Sequence, residues 1–200
     1  HVYALPALAA HDDLSQSLEH RARSYLSVNC APCHREDGYA LGSWDGRNLL
    51  TTAEANLVNG GLVNDLGNTS MRVIAPGSIA HSMVITRMLG SSAPRMPPLA
   101  SNVVDTVGMQ LISDWITNEL PSWQSYEEWQ NAHFVNPQGP EATRSADPDG
   151  DARTNEFEFL TRTLPWDSQS LWDLQGVLMT DHHQVDYSLI AGRAAIVELS

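Results

Sequence analysis

Two hundred residues suit one ordinary domain or two small ones, and 42% hydrophobic composition supports a packed core. Twenty-four acidic residues stand against eleven basic ones, all arginine, for a formal charge of −13. Such a surface repels nucleic-acid phosphates and anionic lipid, and no run approaches the roughly 20 apolar residues of a membrane span.

The sequence opens on His1 rather than Met, so a targeting segment is expected to have been removed. Residues 1–13 read as a lead-in without evident chemistry. From Asp12 or Asp13, each a suitable N-cap, the residues Leu14, Leu18, Ala22, Tyr25 and Leu26 recur at helical spacing up to Asn29. His11 and His20 lie off this apolar face and read as solvated histidines.

The helix delivers Cys30-Ala31-Pro32-Cys33-His34. Two cysteines two residues apart with a histidine directly after them form the attachment signature of a c-type haem: the sulfurs reach the porphyrin and the imidazole meets the iron. A redox dithiol would not need His34. A four-ligand zinc site would need further cysteines or a close histidine pair, and both cysteines of the chain are already in the motif.

Gly38, Gly42, Gly46, Gly60, Gly61 and Gly67, with many Asn and Asp, then predict a loop wrapped over a filler such as a haem. Within it, Trp44 and Arg47 offer an indole N–H and a guanidinium as donors to haem propionates. The plainer alternative is an arginine paired with a carboxylate beside a packed tryptophan. Pro76-Gly77-Ser78 opens a short helix capped by Ser78 and ended by Gly90, with Ile79, Met83 and Met88 on its apolar side. His81 falls here and reads as a surface or core residue.

A second iron ligand is sought among Met71, Met83, Met88, Met96, Met109 and Met179, and a methionine there raises the potential. Spacing alone does not decide. Met83, Met88 and Met109 fall in helices, where methionine is usually core filling. Met96 lies in Ala93-Pro94-Arg95-Met96-Pro97-Pro98-Leu99, a proline-stiffened loop that holds a thioether at little ordering cost, and is the preferred ligand. Asp105 then caps a helix with Val107, Leu111, Ile112, Trp115, Ile116 and Leu120 on its apolar stripe, and Pro121 stops it.

The run Arg21–Leu26, Val28–His34, Trp44–Arg47, Arg95–Leu99 and Asp114–Ile116 resembles a class I type cytochrome c domain, similar to those appended to quinoprotein sugar dehydrogenase-like proteins, over about residues 18 to 120. The resemblance implies a helical fold around one covalent haem c, with His34 and Met96 as axial ligands. It also implies crossing first and last helices and maturation in the periplasm or beyond. The lysine ring that many mitochondrial-type carriers use for docking is missing, so their docking mode does not carry over.

Beyond Pro121, Trp123, Tyr126, Trp129 and Phe134 suggest a short amphipathic helix around Tyr126–Gln130, followed by a linker-like stretch over 137–145. Asp147-Pro148-Asp149-Gly150-Asp151-Ala152-Arg153-Thr154-Asn155-Glu156-Phe157-Glu158 places oxygens at positions 1, 3, 5, 9 and 12 of a twelve-residue loop, the EF-hand-like spacing for calcium. Asp147, Asp149, Asp151, Glu158 and the Arg153 carbonyl are the expected ligands. A solvated acidic turn is the alternative. The segment resembles thrombospondin type 3 or dockerin-like loops, although Ala152 replaces the glycine usual at position 6.

Short alternations over Ser170–Leu178, Gln184–Ile190 and Ala194–Leu199 predict three β-strands, with His182 and His183 in a polar turn. The abrupt stop at Ser200 suggests a longer protein or an edge completed by a partner.

The expected architecture is therefore mainly α. A lead-in (1–13) precedes a cytochrome c type domain (14–121), a helix–calcium-loop–helix segment (122–165) and a β-strand tail (166–200). The expected function is one-electron transfer by an exported protein that is not itself an enzyme and meets a redox partner protein. The alternatives are the cytochrome part of a quinoprotein-type dehydrogenase, or a haem-bearing subunit docked into a larger assembly through its calcium loop and strands. No nucleotide fingerprint or nucleophile elbow occurs in the chain.

Overall fold

The computed structural model describes residues 7–99 and 102–172, together with two short strands beyond them. The chain divides into two compact units, residues 1–123 and 124–200.

In the first unit, α1 (Leu18–Asn29) starts later than the apolar spacing suggested, because Ser17 is the cap and its side chain accepts from His20 N. Residues 11–15 form turns instead. The stretch expected as one helix from Ser78 is broken in two. A 3-10 turn, Ile79–His81, is followed by α2 (Met83–Leu89), and the Ser78 hydroxyl bonds His81 Nδ1 rather than capping a backbone N–H. Gly90 ends α2 in the left-handed region, where glycine has no Cβ penalty.

Helix α3 (Thr106–Asp114) begins at Asp105, whose carboxylate accepts from Gly108 N. It passes through a π turn, Trp115–Glu119, and a 3-10 turn containing Pro121. The wider turn leaves Trp115, Ile116 and Leu120 all fully buried. They join Leu26, Leu57, Val73, Ile74, Ile85 and Ile112 in the core, where each large apolar side chain contributes about 1.5–3 kcal/mol relative to exposure. Helix α3 lies against α1. At Gly108 an added methyl would collide with the Tyr25 ring, so the close approach depends on glycine.

In the second unit, α4 (Tyr126–His133) carries a full capping box between Ser125 and Glu128. The 137–145 stretch is not a linker. It contains a 3-10 turn, Pro140–Ala142; Ala142 is buried, and its carbonyl accepts from Tyr126 Oη and Gln130 Nε2. Tyr126, Trp129, Phe134 and Phe159 complete this small aromatic core.

The expected β-strand tail is corrected. Strand in the described residues is confined to one antiparallel hairpin of two four-residue strands, β1 (Gln175–Leu178) and β2 (His183–Asp186). A two-stranded hairpin is marginal by itself and makes no three-stranded sheet. The third expected strand, Ala194–Leu199, lies outside the described residues, as do His182 and Met179. The chain is mainly α in what is described. No described helix is long and apolar enough to cross a membrane.

Candidate functional site

The end of α1 does not unwind at the cysteines. Cys33 N and His34 N both donate to Cys30 O, at 3.1 and 2.8 Å, so the motif forms one further turn. Positions i, i+3 and i+4 share a face, which groups Cys30, Cys33 and His34 on one side. The glycine-rich loop then crosses back over the motif. Gly46 N donates to His34 O at 2.8 Å, and a Cβ on Gly46 would sit 2.9 Å from Ala31 N. This crossing stacks Trp44 on His34, with ring centroids 4.1 Å apart and planes 21° apart.

The three motif residues face a cavity of about 530 Å³, within the range of small-molecule and cofactor sites. Its lining is mostly apolar and includes Trp44, Leu62, Val73, Met83, Val84, Met88 and Met96. The lining thus brings Cys30, Cys33, His34 and Met96 to one space, while Met71 and Met109 are not part of it. Met96 is placed by its backbone, since its N–H donates to Arg87 O at 2.9 Å.

Burial pushes the His34 imidazole below its ordinary value, and the nearby Arg87 cation pushes in the same direction. The ring is therefore neutral near pH 7, the form that ligates a metal. Its Nδ1 is buried without a hydrogen-bond partner. The Cys30 thiol is pushed up to about 12, chiefly by burial and secondarily by Cys33. A protonated thiol is unreactive until it is activated. These residues suit a covalently attached haem: two sulfurs and a neutral imidazole on one turn, a thioether in the same cavity, and apolar walls.

Arg47, expected beside the haem propionates, is paired with a neighbouring carboxylate. Its Nε and Nη2 bond the Asp45 carboxylate, the closest contact being 2.6 Å, and it is not among the residues lining the cavity. The neighbouring carboxylate has claimed the guanidinium, as the plainer alternative held. The charged side chain that does line the cavity is Arg87, which sequence reasoning passed over. Its signal was available: Arg87 stands four residues after Met83 and three after Val84, on the face these residues share.

The second cluster lies in the second unit. Carboxylate oxygens of Asp147, Asp149 and Asp151 lie within 4.8 Å of one another. Asp147 accepts from Gly150 N and Ala152 N, Asp149 from Asp151 N, and Asp151 from Arg153 N. These bonds curl the loop around its own carboxylates. Ala152 has φ +70°, so position 6 takes the left-handed turn despite its methyl.

Glu158, at position 12 and on α5 (Asn155–Thr161), is only 1% exposed, and its Oε2 has no partner. Burial first, then Asp149, Asp151 and Asp147, raise its carboxyl to about 7. Asp149 Oδ2 is likewise buried without a partner. The Arg153 guanidinium holds the other Asp151 oxygen at 2.9 Å. Asn155 at position 9 donates its amide to the Glu141 and Thr143 carbonyls, which ties the loop to the turn before it. The arrangement departs from a helix–loop–helix hand, because an irregular stretch and a 3-10 turn separate α4 from the loop.

Comparison with protein-family models, with curated proteins and with solved structures yields no match to this chain.

Proposed function

We propose that the first unit is a class I type cytochrome c domain that carries electrons one at a time through a single haem c. The observation behind this reading is the shared cavity, where Cys30, Cys33, His34 and Met96 meet within apolar walls. When bound, haem c supplies a one-electron iron couple. Cys30 and Cys33 tether the group through thioether bonds. His34, through a neutral imidazole, and Met96, through a thioether, would hold the iron, a pair that raises the reduction potential. The apolar lining excludes water. With His34 and Met96 both holding the iron, the group would supply electron transfer rather than a site for a substrate.

In this reading covalent haem attachment implies an exported compartment, where a redox partner protein, or the dehydrogenase part of a longer chain, would deliver or accept the electron. Its acidic, lysine-free surface calls for a partner other than those that dock on lysine rings. The test is an alkaline pyridine spectrum with an intact mass on protein matured in an exporting host. The expected result is a c-type spectrum and a mass increment of one haem. Free thiols without porphyrin overturn the reading.

The second unit binds calcium in this reading. The supporting observation is Glu158, a buried carboxylate with an unpartnered oxygen beside three converging aspartates. Calcium takes six to eight hard oxygens, which Asp147, Asp149, Asp151, Glu158, the Arg153 carbonyl and water would supply. Calorimetric titration of the chelator-treated protein with calcium is expected to show one site, and the absence of binding at millimolar calcium overturns this part.

A further inference from the structure

Arg87 stands in an unusual electrostatic position. The chain carries a formal charge of −13, yet among the described residues no carboxylate side chain lines the cavity, and Arg87 is the charged group that does. Among the described residues its guanidinium makes one hydrogen bond, from Nη1 to the Pro94 carbonyl at 3.2 Å, and no ion pair. A guanidinium carries five N–H donors in a rigid fork. A guanidinium with open donors at the rim of an apolar cavity can take a carboxylate in a charge-assisted, bidentate pair. Arg47 has its Nε and Nη2 on Asp45 and does not line the cavity.

We infer that Arg87 is the cavity's anion anchor: its guanidinium fork holds the carboxylate side groups of the bound macrocycle, the role the sequence suggested for Arg47. The inference rests on the haem reading and assigns the orientation of the group to a residue outside the attachment motif. It also couples orientation to ligation. The Arg87 carbonyl accepts from Met96 N, and its side chain holds Pro94 two residues earlier, so one residue fixes both the carboxylates and the loop bearing the thioether.

The test compares the reduction potentials of the wild-type holoprotein, Arg87→Gln, Arg87→Lys and Arg47→Gln, while the charge-transfer band of thioether-ligated ferric haem is monitored. Arg87→Gln leaves a propionate charge unbalanced near the iron and stabilises the oxidised state, so its potential shifts down with the thioether band retained. Arg87→Lys keeps the charge and recovers most of the shift. If Arg87→Gln does not accumulate, a small downward shift in Arg87→Lys carries the test, because lysine lacks the fork. An unchanged potential in both variants, or a fall in Arg47→Gln alone, overturns the assignment. Loss of the thioether band in Arg87→Gln, with the potential equally low in Arg87→Lys, also overturns it and leaves Arg87 a clamp on the Met96 loop. A wild-type protein with no pyridine haemochrome fails the haem reading instead, which separates the two failures.

Discussion

Tyr25 donates its phenolic hydrogen to Asp105 Oδ2 at 2.9 Å, joining α1 to the residue that caps α3. The ring is thereby fixed over Gly108, where α1 and α3 approach. One tyrosine sets both the spacing of the two helices and the start of the second.

Gly108→Ala should destabilise the first unit. Alanine gains about 1 kcal/mol in helix propensity, but overpacking against a held ring costs about 1–3 kcal/mol. The collision wins because Asp105 prevents the ring from swinging aside. Denaturant midpoints check this, and a Tyr25→Leu background should restore the alanine advantage. A Gly108→Ala protein as stable as its parent would show that the ring yields.

Asp105 also gives the first unit an acid limb. The Gly108 N–H, and secondarily the Tyr25 hydroxyl, hold its carboxyl below the ordinary 3.8. A depressed carboxyl contributes fully above its unfolded value, and the contribution is lost as pH falls through the folded one. Thermal melts between about pH 5 and 2 should therefore decline less steeply in Asp105→Asn, which keeps a capping oxygen without a titrating group. Identical acid limbs in the two proteins would count against this.

Local signals carried the parts of the fold that sequence could reveal. The cap at Asp105, the capping box at Ser125 and Glu128 and the cysteine turn are each decided within a few residues. What stayed hidden depends on distant partners. The need for a glycine at position 108 comes from Tyr25, 83 positions earlier in the chain. Arg47 and Arg87 are equally plausible anion donors in sequence, and only the position of Asp45 closes one and leaves the other facing the cavity. The 137–145 stretch carries few apolar residues, and its single buried alanine hides that it packs. Among the described residues the strand alternation over the tail corresponds to one short hairpin, and period 2 does not fix how many strands find partners.

Met96→Ala is expected to open the iron to an external ligand. The wild-type reduced spectrum should be nearly indifferent to carbon monoxide, whereas the variant should bind it and show a lower potential through loss of the thioether. Met88→Ala supplies the contrast: it lines the same cavity from α2, and its loss should weaken packing without creating carbon monoxide binding. Equal behaviour of the two variants would remove Met96 from the ligand set.

Calcium should stabilise the second unit to an extent that depends on Glu158. Four carboxylates crowd one another without an ion, so calcium at 100 times its dissociation constant should stabilise the unit by about 2.7 kcal/mol, and chelation should remove that gain. Glu158→Gln takes one buried charge away from the three aspartates. The chelated variant should therefore melt higher than the chelated parent, while calcium raises its melting temperature much less. A variant that still responds fully to calcium would exclude Glu158 as a ligand.

Ala152→Gly isolates the cost of the left-handed turn at position 6. An L-residue there costs about 1–2 kcal/mol, and its φ of +70° is a conformation glycine adopts freely. Glycine loses about 0.5–1 kcal/mol more backbone entropy on folding, which offsets part of the relief. The net expectation is a gain of at most about 1.5 kcal/mol in the chelated protein, together with tighter calcium binding, because the turn no longer opposes closure of the loop. Chemical denaturation and calcium titration read the two effects separately. A destabilised Ala152→Gly protein would mean that the methyl packs favourably and that the strain at this position is already relieved.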